Sequence, residues 1–198
     1  GINTSLIGYC IIISLALCYL DLKGVEISQF INFYNLIPIL TALFILNFFN
    51  KLYLGDSGSY LLGLLFSLCL IDTHQINNNI SPFFIICLLW YPAFENLFSI
   101  FRKIQFSRSP INPDTNHLHQ LIFFHLKKIF NVNNFYLNTF TGIIINIYNL
   151  ISILIAVQFY NDTKVQILII IFNITFYTLI YVSIISKKIK KSQNLSKK

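Results

Sequence analysis

The chain has 198 residues, of which 56% are hydrophobic, 16% aromatic and only 11% charged, and it carries a net charge of +7. Soluble domains run nearer a quarter charged, so a soluble globular fold is excluded, and hydrophobicity this high excludes disorder. The composition is that of an integral membrane protein. Its basic residues sit beside apolar segments, which points to anionic lipid and phosphate-bearing partners and not to nucleic acid.

The chain begins at Gly1 and contains no Met, and it reads as the C-terminal part of something longer. Six apolar stretches approach the roughly 20 residues a helix needs to cross a bilayer. They run over 4–20, 30–49, 59–71, 81–100, 140–160 and 165–185, the third being short. The fold class is therefore all-α: a polytopic transmembrane bundle of about six spans forming a single domain over 1–198. The first stretch lacks the basic n-region and cleavage site of a signal peptide.

Alternating spans put Lys51, Arg102, Lys103, Arg108, Lys127, Lys128, Lys187, Lys188, Lys190, Lys191, Lys197 and Lys198 on one face. Lys23 and Lys164 alone fall on the other. Basic residues of short loops are retained inside the cell, so the first face is cytoplasmic and 186–198 is a basic cytoplasmic tail. The long loop over 101–139 lies on that face. Within it Leu118, Leu121, Ile122, Leu126 and Ile129 follow helical spacing, as a helix lying in the membrane interface would.

Four cysteines, Cys10, Cys18, Cys69 and Cys87, lie in apolar stretches without CxxC spacing and read as small buried residues. Of seven acids, Asp21, Glu26, Asp72 and Asp162 fall at the outer ends of spans and read as solvated. Asp56 lies in Leu54-Gly55-Asp56-Ser57-Gly58-Ser59, at the mouth of the third span. Glycines there allow close backbone approach, serines can cap the helix, and a carboxylate can hold Mg²⁺ that bridges substrate phosphates. A simple helix N-cap is the plainer alternative. Glu95 follows Trp90-Tyr91-Pro92 within the fourth span, where burial demands a partner: an interhelical bond, or a place beside the site. The loop carries Arg108-Ser109-Pro110-Ile111-Asn112-Pro113-Asp114-Thr115-Asn116-His117-Leu118-His119-Gln120. Histidines at i and i+2 do not share a helical face, which argues against zinc, but loop histidines can hydrogen-bond phosphate. The asparagines at 77–79 and around 131–134 read as loop filler.

At these two motifs the sequence resembles the polyprenyl-phosphate N-acetylhexosamine-1-phosphate transferases, the MraY/WecA-type family, or glycosyltransferase family 4. Leu54 to Ser59 is similar to that family's [FL]-[ML]-G-D-x-G-S, and Ser109 to His119 to its S-P-F-x-P-D-x-x-H-x-H-H. Pro92 to Arg102 is similar to a P-x-x-[DE] helix leading to basic residues, and Gly1-Ile2-Asn3 to the end of N-x-x-x-x-D-G-[LI]-[ND]. The resemblance implies transfer of a sugar-1-phosphate, of the N-acetylated aminosugar class, from a UDP-sugar to undecaprenyl phosphate with release of UMP. It places such an enzyme in the bacterial cytoplasmic membrane, with its site facing the cytoplasm, in the synthesis of cell-wall or lipopolysaccharide glycans.

The resemblance further implies Mg²⁺, with Mn²⁺ as a substitute, held by Asp56, and catalytic roles for Asp56, His117 and His119. It implies substrate contacts for Asn3, Gly58, Ser59, Arg108, Asp114 and Gln120, and leaves a homodimer open. Gln120 stands where many members have a third histidine. The family's paired aspartates, expected on an earlier helix, are not in this chain, so this stretch alone is expected to be inactive. A membrane module without catalysis, on the same scaffold, is the alternative. A CDP-alcohol-type phosphotransferase would need a cluster of aspartates that this sequence lacks.

Overall fold

The computed structural model describes residues 4–105, 116–130 and 133–195, with side chains to residue 187. Its elements are seven helices: α1 (Ser5–Leu22), α2 (Phe33–Phe48), α3 (Gly55–Ile76), α4 (Pro82–Gln105), α5 (Leu118–Ile129), α6 (Asn134–Gln158) and α7 (Thr163–Leu195). Five of them, α1, α3, α4, α6 and α7, are long and apolar enough to cross a membrane, and α2 is a shorter apolar helix. The protein is thus an all-α, multi-pass membrane protein. Large apolar residues such as Leu61 and Leu64 on α3, and Leu168, Phe172 and Leu179 on α7, are more than half exposed, as lipid-facing positions are.

Helix ends are laced together at one end of the bundle. Tyr34 donates to Asp21 at 2.9 Å, Tyr19 pairs with Gln158 at 3.2 Å, the Ser28 amide donates to Thr73 at 3.0 Å, and Ser81 bonds Thr163 at 2.9 Å. These contacts join the end of α1 to the starts of α2 and α4 through the ends of α3 and α6. Chain direction therefore alternates as six spans require, and Lys23 and Lys164 lie at this end. Lys51, Arg102 and Lys103 lie at the other, where α2 and α4 finish.

Apolar burial does not drive helices together in lipid, so close packing and polar contacts carry the association. Between α1 and α6, Gly8 admits Asn146 so closely that an added Cβ would meet its side-chain nitrogen. That nitrogen donates to the Thr4 carbonyl at 2.9 Å. Between α6 and α7, Asn173 donates to Ser152 at 2.7 Å and accepts from Tyr148 at 2.8 Å. All four cysteines are free and buried.

The shorter apolar helix is α2, while α3, expected to be short, is long enough to span. Asn32 caps α2, its side chain accepting from the Asn35 amide, and the chain turns out of the helix after Phe48 through Asn50 at φ 60°. The third helix runs well beyond its expected 59–71, because the polar Gly55-Asp56-Ser57 stretch forms its first turn. Beyond Ile71 it continues through Thr73, whose hydroxyl returns to the Cys69 carbonyl at 2.7 Å. The fully buried residues of α3, Phe66, Cys69, Leu70 and Thr73, all lie in its second half. The amphipathic segment beginning at Leu118 is α5, its apolar Leu118 and Leu121 buried and Lys127 and Lys128 in its last turn.

Candidate functional site

A cleft of about 640 Å³ opens at the end of the bundle where α1, α3 and α6 begin and α2 finishes, with α5 along one side. Asn47, buried near the end of α2, builds its floor. Its Oδ1 accepts from the Thr4 amide at 2.5 Å and its Nδ2 donates to the Leu52 carbonyl at 2.7 Å. One amide side chain so ties the start of α1 to the turn that delivers α3.

That turn ends at Gly55, whose φ of +68° suits a residue without Cβ. Leu54 occupies the N-cap position of α3 and supplies no side-chain hydrogen bond. The first N–H groups of the helix are left for other acceptors, and the positive end of its dipole faces the cleft mouth. Asp56 sits one residue inside this end, exposed, lining the cleft, and without a hydrogen bond or ion pair among the described residues. It is not the cap. Ser59 also lines the cleft, but its hydroxyl donates back to the Gly55 carbonyl at 2.7 Å instead of capping the helix. Gly58 packs against Leu54, and a Cβ there would lie 2.8 Å from a Leu54 methyl.

From the opposite side α5 presents His119 and Gln120 to the cleft. Burial pushes the His119 imidazole down to about 4, so it is neutral at physiological pH and can both donate and accept. The Gln120 Oε1 is buried without a hydrogen-bond partner, and so is the Oδ1 of Asn138 on α6, which also lines the cleft. Both oxygens belong to residues that line the cleft, and unsatisfied acceptors of this kind suit a ligand with hydroxyl or amide N–H groups. Tyr53, Phe123 and Phe135 add aromatic surface, while no Lys or Arg belongs to the described lining.

His117 lies next to this cleft without lining it. Its Nδ1 is 2.9 Å from Glu95 Oε1, and its ring stacks on that of His119, centroids 5.3 Å apart and 5° from parallel. Asn3, Arg108 and Asp114 lie outside the described residues. Thr4, next to Asn3, lines the cleft. The site also holds residues that sequence reasoning passed over. Asn134, read as loop filler, lines the cleft together with Asn138, one turn further along the first turns of α6. That i, i+4 pair of amides was the available signal.

A metal would find one carboxylate in the described lining, that of Asp56, among neutral oxygen donors. Among the described residues no group of three or more His, Cys, Asp or Glu gathers as a metal cage. Mg²⁺ retains waters and commonly takes one or two carboxylates plus substrate phosphates, so Asp56 fits an ion shared with a substrate and not one enclosed by protein.

Comparison with known proteins gives partial likenesses. An undecaprenyl-phosphate alpha-N-acetylglucosaminyl 1-phosphate transferase of Salmonella typhi is 30% identical over 73 residues, 36% of this chain and 20% of that protein. The protein of the same description from Escherichia coli strain K12 is 32% identical over 73 residues, with the same coverage. A decaprenyl-phosphate N-acetylglucosaminephosphotransferase of Mycolicibacterium smegmatis is 33% identical over 81 residues, 35% of this chain and 20% of that protein. The matches thus span 20% of the length of these curated relatives. No family model and no solved structure matches the chain.

Proposed function

We propose that the protein transfers a sugar-1-phosphate, of the N-acetylated aminosugar class, from a UDP-sugar to a polyprenyl phosphate and releases UMP. The observation that carries this reading is the meeting of Asp56 and Ser59 with His119 and Gln120, some 60 residues later in the chain, in one cleft at one end of the bundle. The partial likeness to polyprenyl-phosphate N-acetylglucosamine-1-phosphate transferases supports the same chemistry.

In this reaction an oxygen of the lipid phosphate bonds to the β-phosphorus of the sugar nucleotide. The bond from that phosphorus to the oxygen bridging to the α-phosphate breaks, and UMP leaves with that oxygen. Both reactants are anions, so the main task is to offset charge and hold them in line. The cleft lining supplies no cationic side chain of its own among the described residues, and the first turn of α3 offers only N–H groups and dipole. Mg²⁺ held by Asp56 would supply the missing positive charge. The unpaired amides of Gln120 and Asn138 suit sugar hydroxyls or an acetamido N–H, and neutral His119 can donate to a phosphate oxygen. Acceptor and donor meet naturally at such a place: the lipid phosphate stays at the interface while its tail remains in hydrocarbon.

Among the described residues the basic side chains concentrate at the cleft end, which supports a site facing the cytoplasm by the positive-inside rule, and the partial likeness to bacterial transferases supports a bacterial inner membrane. The test is UMP release by the full-length protein in vesicles holding undecaprenyl phosphate and Mg²⁺, with UDP-N-acetylglucosamine and related donors supplied outside. Turnover that needs both lipid and metal is expected. Absence of UMP release with every UDP-N-acetylaminosugar would replace this reading with a non-catalytic membrane module.

A further inference from the structure

Glu95 on α4 is only 6% exposed, and three groups converge on its carboxylate. Oε1 accepts from the Leu118 amide at 2.9 Å and lies 2.9 Å from His117 Nδ1. Oε2 accepts from the Tyr177 hydroxyl of α7 at 2.8 Å. An ionised carboxylate only accepts, so Nδ1 of His117 carries a proton in this contact, which in the neutral ring fixes the Nδ1–H tautomer. His117 occupies the N-cap position of α5 but makes no side-chain capping bond there. The Leu118 amide of that first turn is satisfied from another helix, by Glu95.

A second level of the same grip lies two turns further along α4. Arg102 donates to the Asn116 carbonyl at 2.8 Å and to the Tyr181 hydroxyl at 2.5 Å. Tyr177 and Tyr181 stand one turn apart on α7, their rings 5° from parallel and 6.3 Å between centroids. Helices α4 and α7 therefore hold the start of α5 at two successive points, Asn116 and the His117–Leu118 pair. Among the described residues, that grip reaches the cleft through the first turn of α5 and through the stack of His117 on His119, which lines it.

We infer that Glu95 is a positioning residue of this site: it locks His117 as the Nδ1–H tautomer and, through the parallel stack, sets the His119 ring in the cleft. Its kinetic consequence rests on the transferase reading, whereas the tautomer does not. Helix α7 gains a role in the site through Tyr177 although it contributes no residue to the cleft lining.

The experiment pairs turnover with ¹⁵N-histidine NMR of the full-length protein in nanodiscs at pH 8, the His117 signal being assigned by its loss in His117→Asn. Wild type should show a proton on Nδ1. Glu95→Leu should give a mixture of tautomers and lower kcat roughly 10- to 100-fold, with KM for the UDP-sugar within about twofold. Glu95→Gln, whose amide oxygen still accepts from Nδ1–H, should keep the tautomer and restore most of kcat. A proton on Nε2 in the wild type overturns the inference even if Glu95→Leu fails to fold, and so does wild-type kcat in a folded Glu95→Leu. An Nδ1–H signal in a wild type that turns over no donor supports the lock and overturns the transferase reading.

Discussion

The rings of His117 and His119 stack 5° from parallel with centroids 5.3 Å apart, yet only His119 lines the cleft while His117 is held by Glu95. Two histidines of one short motif so take different tasks. Residues at i and i+2 diverge once a helix begins, and α5 begins between them, at Leu118.

Asp56→Asn should reduce UMP release at least about a hundredfold, because it removes the only carboxylate of the described lining from a site that must offset polyphosphate charge. The thermal midpoint should stay at its wild-type value, since the side chain is exposed and touches no partner among the described residues. Turnover assays beside unfolding curves check both halves. Wild-type turnover in this variant would remove Asp56 from the chemistry.

Asn138→Ala should raise KM for the UDP-sugar about fivefold with kcat little changed, the loss of about one hydrogen bond to bound donor. The basis is its buried Oδ1, which has no hydrogen-bond partner in the cleft wall. Initial rates over a donor titration would show it. An unchanged KM would mean that this amide faces no ligand.

Gly8→Ala should destabilise the protein by about 1–3 kcal/mol, because its Cβ would fall on the Asn146 side-chain nitrogen and 3.1 Å from the Phe44 ring. Adding Asn146→Ala should relieve the clash but leave the Thr4 carbonyl without that donor, recovering only part of the loss. Unfolding in mixed micelles measures both. Additive losses would show that the two residues are not in contact.

Stability should fall as pH drops from about 6.5 toward 4. The His119 imidazole titrates at its ordinary 6.5 in the unfolded chain and about 4 in the fold, where burial disfavours its charged form. Between those values the unfolded state binds the extra proton, so the contribution is complete above the window and is lost as pH falls through it. His119→Gln should flatten that part of the profile relative to wild type. Parallel melting-temperature curves from pH 7.5 to 4 would contradict the assignment.

Much of the scaffold is legible in the sequence because lipid permits few solutions: runs of apolar residues become helices, and α5 announces itself by period. Helix ends are less legible. Gly55-Asp56-Ser57 has the composition of a loop, yet it is the first turn of α3, because a helix end facing a polar cleft needs no apolar residues. The pairing of Asp56 with the Gln120 region follows from alternating spans, while the grip on His117 does not. Glu95 is 22 residues from His117 and 82 from Tyr177, and nothing periodic links the three. The asparagines of α6 were opaque for a different reason: an amide suits a loop and a cleft wall equally well, and only packing tells them apart.

All the fully buried residues of α3 lie from Phe66 onward, whereas Asp56 stands at its other tip. Ten residues separate them, about 15 Å at 1.5 Å per residue. Any tilt of the helix would therefore pivot in its packed half. A tilt of about 5° would swing the carboxylate by roughly 1.3 Å over that arm, and in the near half only partly buried side chains such as Leu54, Leu62 and Leu65 would have to follow it.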